Sequence, residues 1–215
     1  MLSIIKSISL NGLDGYVINV QVDVSPGIPS WEIVGLPDTS IRESKERVRT
    51  AIKNSSFELL SRKIVVNLAP ANIKKEGSFL DLPMAIGILQ SVEEIEKKDL
   101  SSIAFIGELS LDGKINGVNG ILPMCIEAKK LGINTVIIPN KNLKETSILN
   151  NITILGAENL RQIVEFINNG VMLSQEKSRW KEINIKNDTY NEDFSEVKGQ
   201  ENVKRGLEIA AAGRS

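Results

Sequence analysis

Histidine is absent from the 215-residue sequence, and cysteine occurs once, at Cys125. Without an imidazole, the chain cannot build a Ser-His-Asp or Cys-His hydrolase site, or a zinc site with histidine ligands. A single cysteine excludes a disulfide within the chain and a cysteine-rich metal cluster. The acidic run Glu93, Glu94, Glu96 and Asp99 lacks a calcium-loop pattern, so the sequence predicts no metal site. Such sparing use of cysteine is typical of proteins of the reducing cytosol.

The sequence also lacks net charge, aromatic residues and long apolar runs. Its 26 Lys and Arg residues against 27 Asp and Glu exclude a polycation that coats nucleic acid by charge alone, although a local basic patch stays open. Aromatic residues make up 4% of the chain, so a base-stacking platform for single strands is not expected. The chain reaches Lys6 too early for a signal-peptide core, and no apolar run approaches the roughly 20 residues that span a bilayer. We therefore expect a cytoplasmic protein with no membrane partner.

Apolar periodicity predicts alternating strands and helices. Between Ile18 and Val24 every second residue is apolar, which is typical of a strand with one buried face. Further strands are predicted over residues 2–10, 31–35, 63–69, 103–106, 136–138 and 152–155. Helices are predicted from a cap at Asp38 or Thr39 to Lys53, and over 79–89, 122–131, 160–167 and 203–212.

This order of elements favours an α/β fold of two layers, with helices packed on a mixed sheet. Composition divides the chain further. Residues 1–173 are predicted to form one domain, the polar residues 174–193 a linker, and residues 194–215 the start of a second module.

A phosphate-binding loop of the Walker A type does not occur in this sequence. The motif Gly-x4-Gly-Lys-Ser/Thr needs a hydroxyl after its lysine, whereas Ile115 follows Gly113-Lys114. The glycines around it are interpreted as turn residues between strands. We therefore expect no ATP hydrolysis and no cofactor in these 215 residues alone.

Nucleophilic catalysis without histidine leaves a Ser-Lys dyad, in which a desolvated lysine acts as the base. Ser78 with Lys75 or Lys129 offers these residue types. The commoner structural use is an exposed turn in which Ser78 caps the helix that follows.

Basic residues cluster on the first predicted helix, and phosphate contacts need such clusters. The candidate DNA contacts are Arg42, Lys45, Arg49 and Lys53, with Lys74 and Lys75 as a second basic site. The alternative is a solvated helix face with local ion pairs, such as Glu43 with Arg47 and Glu46 with Arg49, each worth a few tenths of a kcal/mol.

Three long stretches resemble one family. They are residues 34–49 (VGLPDTSIRESKERVR), 64–78 (IVVNLAPANIKKEGS) with 81–85 (DLPMA) following, and 105–113 (FIGELSLDG). Together they resemble the N-terminal domain of the magnesium-chelatase-like AAA+ ATPases, the ComM/YifB family. Residues 194–200 (FSEVKGQ) and 210–213 (AAAG) resemble the first segment of that family's AAA+ module, before its Walker A loop.

The resemblance implies a fold similar to the proteolytic domain of Lon proteases, the ribosomal protein S5 domain 2-like fold, a two-layer α/β sandwich. Lon proteases carry their nucleophile in a Lys-Asp-Gly-Pro-Ser stretch, and the similar stretch here begins at Lys75 and places Phe79 at that position. The position of the catalytic lysine of Lon falls on Met124. Since neither side chain is a nucleophile or a base, the resemblance implies a Lon-like domain without protease chemistry.

The resemblance further implies that the full-length parent is an ATPase that uses ATP and Mg²⁺, assembles as a hexameric ring and acts as a DNA branch-migration helicase in natural transformation. Val197, Gly199 and Gln200 match the stretch beside the adenine in AAA+ proteins, and would need the rest of that module. The family continues with Gly-His where this chain has Arg214-Ser215, which a cloning scar or a truncation would explain.

Two alternatives stay open at this point. One is the Ser-Lys peptidase, and the other is a true magnesium-chelatase subunit. The second is disfavoured because the chain has no histidine and a single cysteine to offer a tetrapyrrole substrate.

Overall fold

A computed structural model describes residues 2–12, 14–59, 62–96, 98–176 and 196–213. The chain divides into two compact units, Met1–Trp180 and Lys181–Ser215, which are described separately. Most of the predicted linker, residues 177–193, lies outside the described residues, as do Arg214 and Ser215.

The first unit is built on a seven-stranded mixed sheet. Its strands lie in the order β3-β4-β2-β1-β5-β8-β9, and most neighbouring pairs are parallel. The strands of the sheet are β1 (Leu2–Asn11), β2 (Asp14–Ser25), β3 (Ser30–Val34), β4 (Lys63–Ala69), β5 (Ile103–Phe105), β8 (Thr135–Pro139) and β9 (Thr153–Ala157). A separate antiparallel hairpin consists of β6 (Glu108–Leu109) and β7 (Ile115–Asn116).

The two halves of the sheet are covered differently. In β2 and β4, buried residues alternate with half-buried ones, so one face packs on helices and the other is partly open. In β8 and β9, four consecutive residues of each strand are buried. Such runs of buried residues are typical of parallel strands that lie inside a sheet covered by helices. The mixed sheet with packed helices confirms the expected α/β class.

Five helices belong to the first unit. They are α1 (Thr39–Asn54), α2 (Asp81–Ser91), α3 (Ile121–Lys130), α4 (Leu143–Thr146) and α5 (Leu160–Asn169). Every residue of α2 is buried, and Gly87 allows this close approach because a Cβ there would lie 2.6 Å from a methyl carbon of Val22. The second unit contains α6 (Glu201–Ala212).

The predicted elements are confirmed to within a few residues. Asp38 caps α1, since its Oδ1 accepts a hydrogen bond of 2.8 Å from the amide of Ile41, and Gly170 ends α5 in a left-handed conformation. The sequence patterns missed β6, β7 and α4, which have only two to four residues each. Among the helices that the structure describes, none combines the length and apolar character needed to cross a bilayer.

Candidate functional site

The loop between β4 and α2 contains a completely buried lysine. Lys75 donates hydrogen bonds from its Nζ to the carbonyl oxygens of Pro70 and, at 2.7 Å, Ile73. Its backbone pairs with residues before α1, since its amide donates to Leu36 O at 3.1 Å and its carbonyl accepts from the amide of Asp38 at 3.0 Å. Burial lowers the pKa of Lys75. This corrects the prediction that Lys74 and Lys75 form a second basic site, because only Lys74 reaches the surface, where it pairs with Glu76 at 2.7 Å.

Asp38 connects this loop to the start of α1. While Oδ1 caps the helix, Oδ2 accepts a hydrogen bond of 3.1 Å from the amide of Gly77. Gly77 has φ +92°, a conformation that side-chain-bearing residues rarely adopt. One carboxylate therefore fixes both the first turn of α1 and the loop that precedes Ser78.

Ser78 donates a hydrogen bond from its hydroxyl to Glu108 Oε2. Glu108 also accepts from Asn116 Nδ2 at 3.1 Å, and the hydrogen bond from Ser78 is the main cause of its lowered pKa. Ser78 lies within a short 3-10 turn, Ser78–Leu80, and makes no capping hydrogen bond, so the prediction that it caps the next helix is wrong. Helix α2 begins only at Asp81, so the 3-10 turn separates Ser78 from the helix that it was expected to cap.

These residues border a cleft of about 800 Å³, which we call the motif cleft because two of the stretches that carried the resemblance, 64–78 and 105–113, contribute to its lining. Its lining includes Tyr16, Asn72, Lys74, Glu76, Ser78, Phe79, Glu108, Asn119 and Met124. Phe79 and Met124, the two residues at the Lon dyad positions, thus reach the same cleft.

The motif cleft does not assemble a Ser-Lys dyad among the described residues. Lys75 directs its Nζ to backbone carbonyls, and Lys129 donates to Asn150 O at 3.3 Å. The described partner of the Ser78 hydroxyl is Glu108, and a carboxylate with a lowered pKa is a weak base. Ser78 therefore lacks an activating lysine in this arrangement.

Arg47 and Asp81 form an ion pair that joins α1 to α2. Arg47 Nε lies 2.8 Å from Asp81 Oδ2, and its Nη2 lies 3.1 Å from Oδ1, so the contact is bidentate. The amide of Leu109 donates to the same carboxylate at 3.2 Å, which also ties the β6–β7 hairpin to the pair. The Asp81 side chain is fully buried; desolvation raises its pKa, and Arg47 opposes that shift.

The exposed side of α1 presents a row of cations. Arg42, Lys45, Arg49 and Lys53 are all exposed, and their spacing of three and four residues places them on one face over about 16 Å of helix. We call this row the basic face. Glu46 lies on the same side, four residues after Arg42 and three before Arg49.

The ion pairs that would neutralise the basic face are not formed among the described residues. Arg47 points to Asp81 rather than to Glu43, and the Arg49 guanidinium lies 5.6 Å from the centroid of the Trp31 ring rather than against Glu46. Its cations are therefore available for a ligand.

In the second unit, Val197, Gly199 and Gln200 lie just before α6. Val197 is exposed, and Gly199 and Gln200 both have positive φ values, of +76° and +58°. Their predicted place beside an adenine stays a prediction. Within the described ranges of both units, no group of three His, Cys, Asp or Glu side chains lies close enough to hold a metal ion.

Sequence reasoning missed the roles of Arg47 and Glu108. Arg47 follows Ser44 by three residues and precedes Ala51 by four, so helical periodicity could have placed it on the buried side of α1. Glu108 meets Ser78 across 30 residues of chain, and no local pattern reports such a contact.

The chain is similar in sequence to several known proteins. The family described as subunit ChlI of Mg-chelatase matches residues 20–142. The chain is 35% identical over 214 residues to competence protein ComM of Haemophilus influenzae, covering 99% of this chain and 42% of that protein. It is 38% identical over 212 residues to protein YifB of Escherichia coli, covering 99% and 41%, respectively. A Lon protease of Methanosphaera stadtmanae is 26% identical over 150 residues, covering 66% of this chain and 18% of the protease. The chain spans about two fifths of the length of the ComM and YifB relatives.

Proposed function

The chain belongs to the family of the Mg-chelatase subunit ChlI, and we propose that it is a non-catalytic N-terminal module. The parent protein in this proposal is a ComM/YifB-like AAA+ ATPase. The module engages DNA, and the full-length protein is a hexameric, ATP-driven branch-migration helicase that acts on incoming DNA. The chain works in the cytoplasm, and its first unit has the ribosomal protein S5 domain 2-like fold of Lon proteolytic domains.

The absence of protease chemistry is supported by the motif cleft. The positions that align with the nucleophile and the base of Lon proteases hold Phe79 and Met124, and both line the cleft. Ser78, the remaining hydroxyl, donates to Glu108, and the ammonium of Lys75 is bound by backbone carbonyls. These contacts disfavour the alternative of a Ser-Lys peptidase.

DNA engagement is carried by one observation, the basic face of α1. Four exposed cations on one face, without acidic partners among the described residues, give the charge pattern that phosphate contacts need. Lys74 is a weaker candidate because Glu76 already neutralises it. Lys75 is excluded as a contact by its burial.

ATP and Mg²⁺ belong to the proposed parent rather than to these residues. The sequence offers no loop that would cradle phosphates, and Val197, Gly199 and Gln200 would supply one wall of an adenine pocket at most.

The experiment is fluorescence anisotropy of the 215-residue chain with labelled single-stranded, duplex and four-way-junction DNA at two salt concentrations. The test variant is the triple charge reversal Arg42→Glu, Lys45→Glu and Arg49→Glu. Loss of three phosphate contacts is expected to weaken binding strongly. It should also reduce the magnitude of the slope of log K against log salt concentration by about 2.7 for duplex DNA. The matched control reverses Lys129, Lys141 and Lys144, which are also exposed and lie elsewhere on the unit.

Two results would refute the proposed engagement of DNA. The first is no binding of any DNA by the wild-type chain at low salt, which would leave the module as an assembly or partner-docking element. The second is an equal loss of affinity in both triple variants, since that would show a response to net charge rather than to the basic face.

A further inference from the structure

A second cleft opens at the carboxyl-terminal end of α1. It has a volume of about 490 Å³, within the range of small-ligand pockets. We call it the terminal cleft, and its lining includes Arg49, Lys53, Phe57, Glu58, Leu59 and Arg62. Arg49 and Lys53 also belong to the basic face, so the row of cations runs directly into this cleft.

The charge of the terminal cleft favours an anion. Three cations face one carboxylate, and no salt bridge within the described part of the chain neutralises Arg49, Lys53 or Arg62. A cluster of arginine and lysine can recognise phosphate groups, through bidentate contacts from arginine and a point charge from lysine.

The wall of the cleft is apolar and held in place. Phe57 and Leu59 are half-buried and pack against the hydrophobic core. The amide of Phe57 donates to Ile52 O at 3.3 Å, and the amide of Glu58 donates to Glu94 Oε1 at 3.3 Å. The ring of Phe57 therefore borders the cavity on a segment that is anchored at both α1 and the loop after α2.

Glu58 distinguishes this cleft from a simple polyanion site. Its carboxylate is exposed within a lining that is otherwise cationic and apolar. A carboxylate repels a bare polyanion, but it accepts hydrogen bonds from the exocyclic amino groups of bases. Cations, an aromatic ring and one acceptor together match the phosphate, the flat face and the polar edge of a nucleotide.

We propose that the terminal cleft binds one unpaired nucleotide of a nucleic-acid strand whose phosphates follow the basic face of α1. The base lies against Phe57, and its phosphate lies between Lys53 and Arg62. A paired and stacked base inside a duplex cannot reach the ring, so the site favours single-stranded or frayed DNA. One aromatic residue suffices for one base, although the chain has too few for a stacking platform. This inference rests on the proposed engagement of DNA through α1.

The test is anisotropy of the 215-residue chain with a labelled single-stranded 12-mer and with the corresponding duplex. The variant Phe57→Leu retains an apolar side chain but removes the ring. Because stacking contributes about 1 to 3 kcal/mol per base, we expect single-strand affinity to fall by about 5- to 140-fold while duplex affinity stays unchanged. The matched control is Phe166→Leu in α5, a phenylalanine that packs against the core and is not part of the lining of this cleft; it should leave both affinities unchanged.

A second variant does not depend on the packing of Phe57. Arg62→Gln removes a cleft cation that makes no hydrogen bond or salt bridge within the described residues, and we expect it to weaken single-strand binding and reduce the salt slope by about 0.7. The control Lys141→Gln removes an exposed charge elsewhere.

The inference is overturned if Phe57→Leu and Arg62→Gln bind the single strand like the wild type, or if Phe57→Leu weakens single-strand and duplex binding equally. In either case the proposed engagement of DNA survives when the triple reversal on the basic face still abolishes binding. If the wild-type chain binds no DNA at all, both proposals fail.

Discussion

Replacement of Arg47 by methionine tests how the buried ion pair supports the basic helix. The variant leaves the fully buried Asp81 carboxylate without its charged partner, while the amide of Leu109 still donates to it. Loss of one partner of a buried pair costs about 3 to 5 kcal/mol, because the other charge stays desolvated. We expect the free energy of unfolding to fall by that amount at about pH 7.

The penalty depends on pH in a defined direction. Burial already raises the pKa of Asp81, and removal of Arg47 raises it further. The folded variant then takes up a proton that the unfolded chain does not, so its unfolding free energy increases as the pH falls towards the ordinary range of aspartate. At about 1.4 kcal/mol per pH unit, the penalty should shrink by up to about 2.7 kcal/mol between about pH 7 and pH 5.

The assay is urea unfolding followed by circular dichroism at both pH values. Arg49→Met is the matched control, since it makes the same change at an exposed arginine two residues away. Loss of its contact with Trp31 should cost about 1 kcal/mol or less, without a pH dependence. In the double variant Arg47→Met with Asp81→Asn, the carboxyl group that titrates is gone, so the penalty in unfolding free energy should no longer depend on pH. A cost below about 1 kcal/mol for Arg47→Met, or an equal cost at both pH values, would refute the reasoning.

Two further predictions concern Cys125 and Glu108. Burial raises the pKa of the Cys125 thiol to about 12, so a thiol reagent at about pH 8 should label it only after unfolding; labelling of the native chain at the rate of a free thiol would contradict this. The hydrogen bond from Ser78 lowers the pKa of Glu108. Ionised Glu108 therefore stabilises the folded state at pH values above the ordinary glutamate pKa. This stabilisation is lost as the pH falls through the lowered pKa of Glu108 in the folded state. Glu108→Gln should therefore lose less unfolding free energy than the wild type between about pH 5 and pH 3, and identical losses would show that Glu108 contributes nothing.

The predictable part of the fold is the part with a clear period. Every second residue of β2 from Ile18 to Val24 is buried, so alternation identified the strand and its inner face. The β6–β7 hairpin has two residues per strand, which is too short for any period to show. Helix α2 is buried on all sides, so its apolar pattern indicated a helix but not which elements cover it.

The candidate site divides in the same way. The capping role of Asp38 was predictable because it acts three residues away, whereas its bond to Gly77 spans 39 residues. The burial of Lys75 was not predictable, since the carbonyls that bind it come from a chain reversal after Pro70. Helical periodicity predicts which residues share a helix face, but it does not predict which backbone carbonyls a turn brings to a charged side chain, even when they lie only two and five residues away.

The order in which the strands are synthesised has consequences for β1. One of its edges pairs with β2, the next strand of the chain, but the other waits for β5, where Lys6 meets Ala104. A ribosome therefore releases the four strands β1 to β4 well before β5 exists. During that interval β1 is an unpaired edge that carries exposed Leu2 and Ile4, the kind of surface on which foreign strands add. Between the synthesis of Ala69 and that of Phe105, the nascent chain is therefore exposed to the addition of foreign strands at this edge.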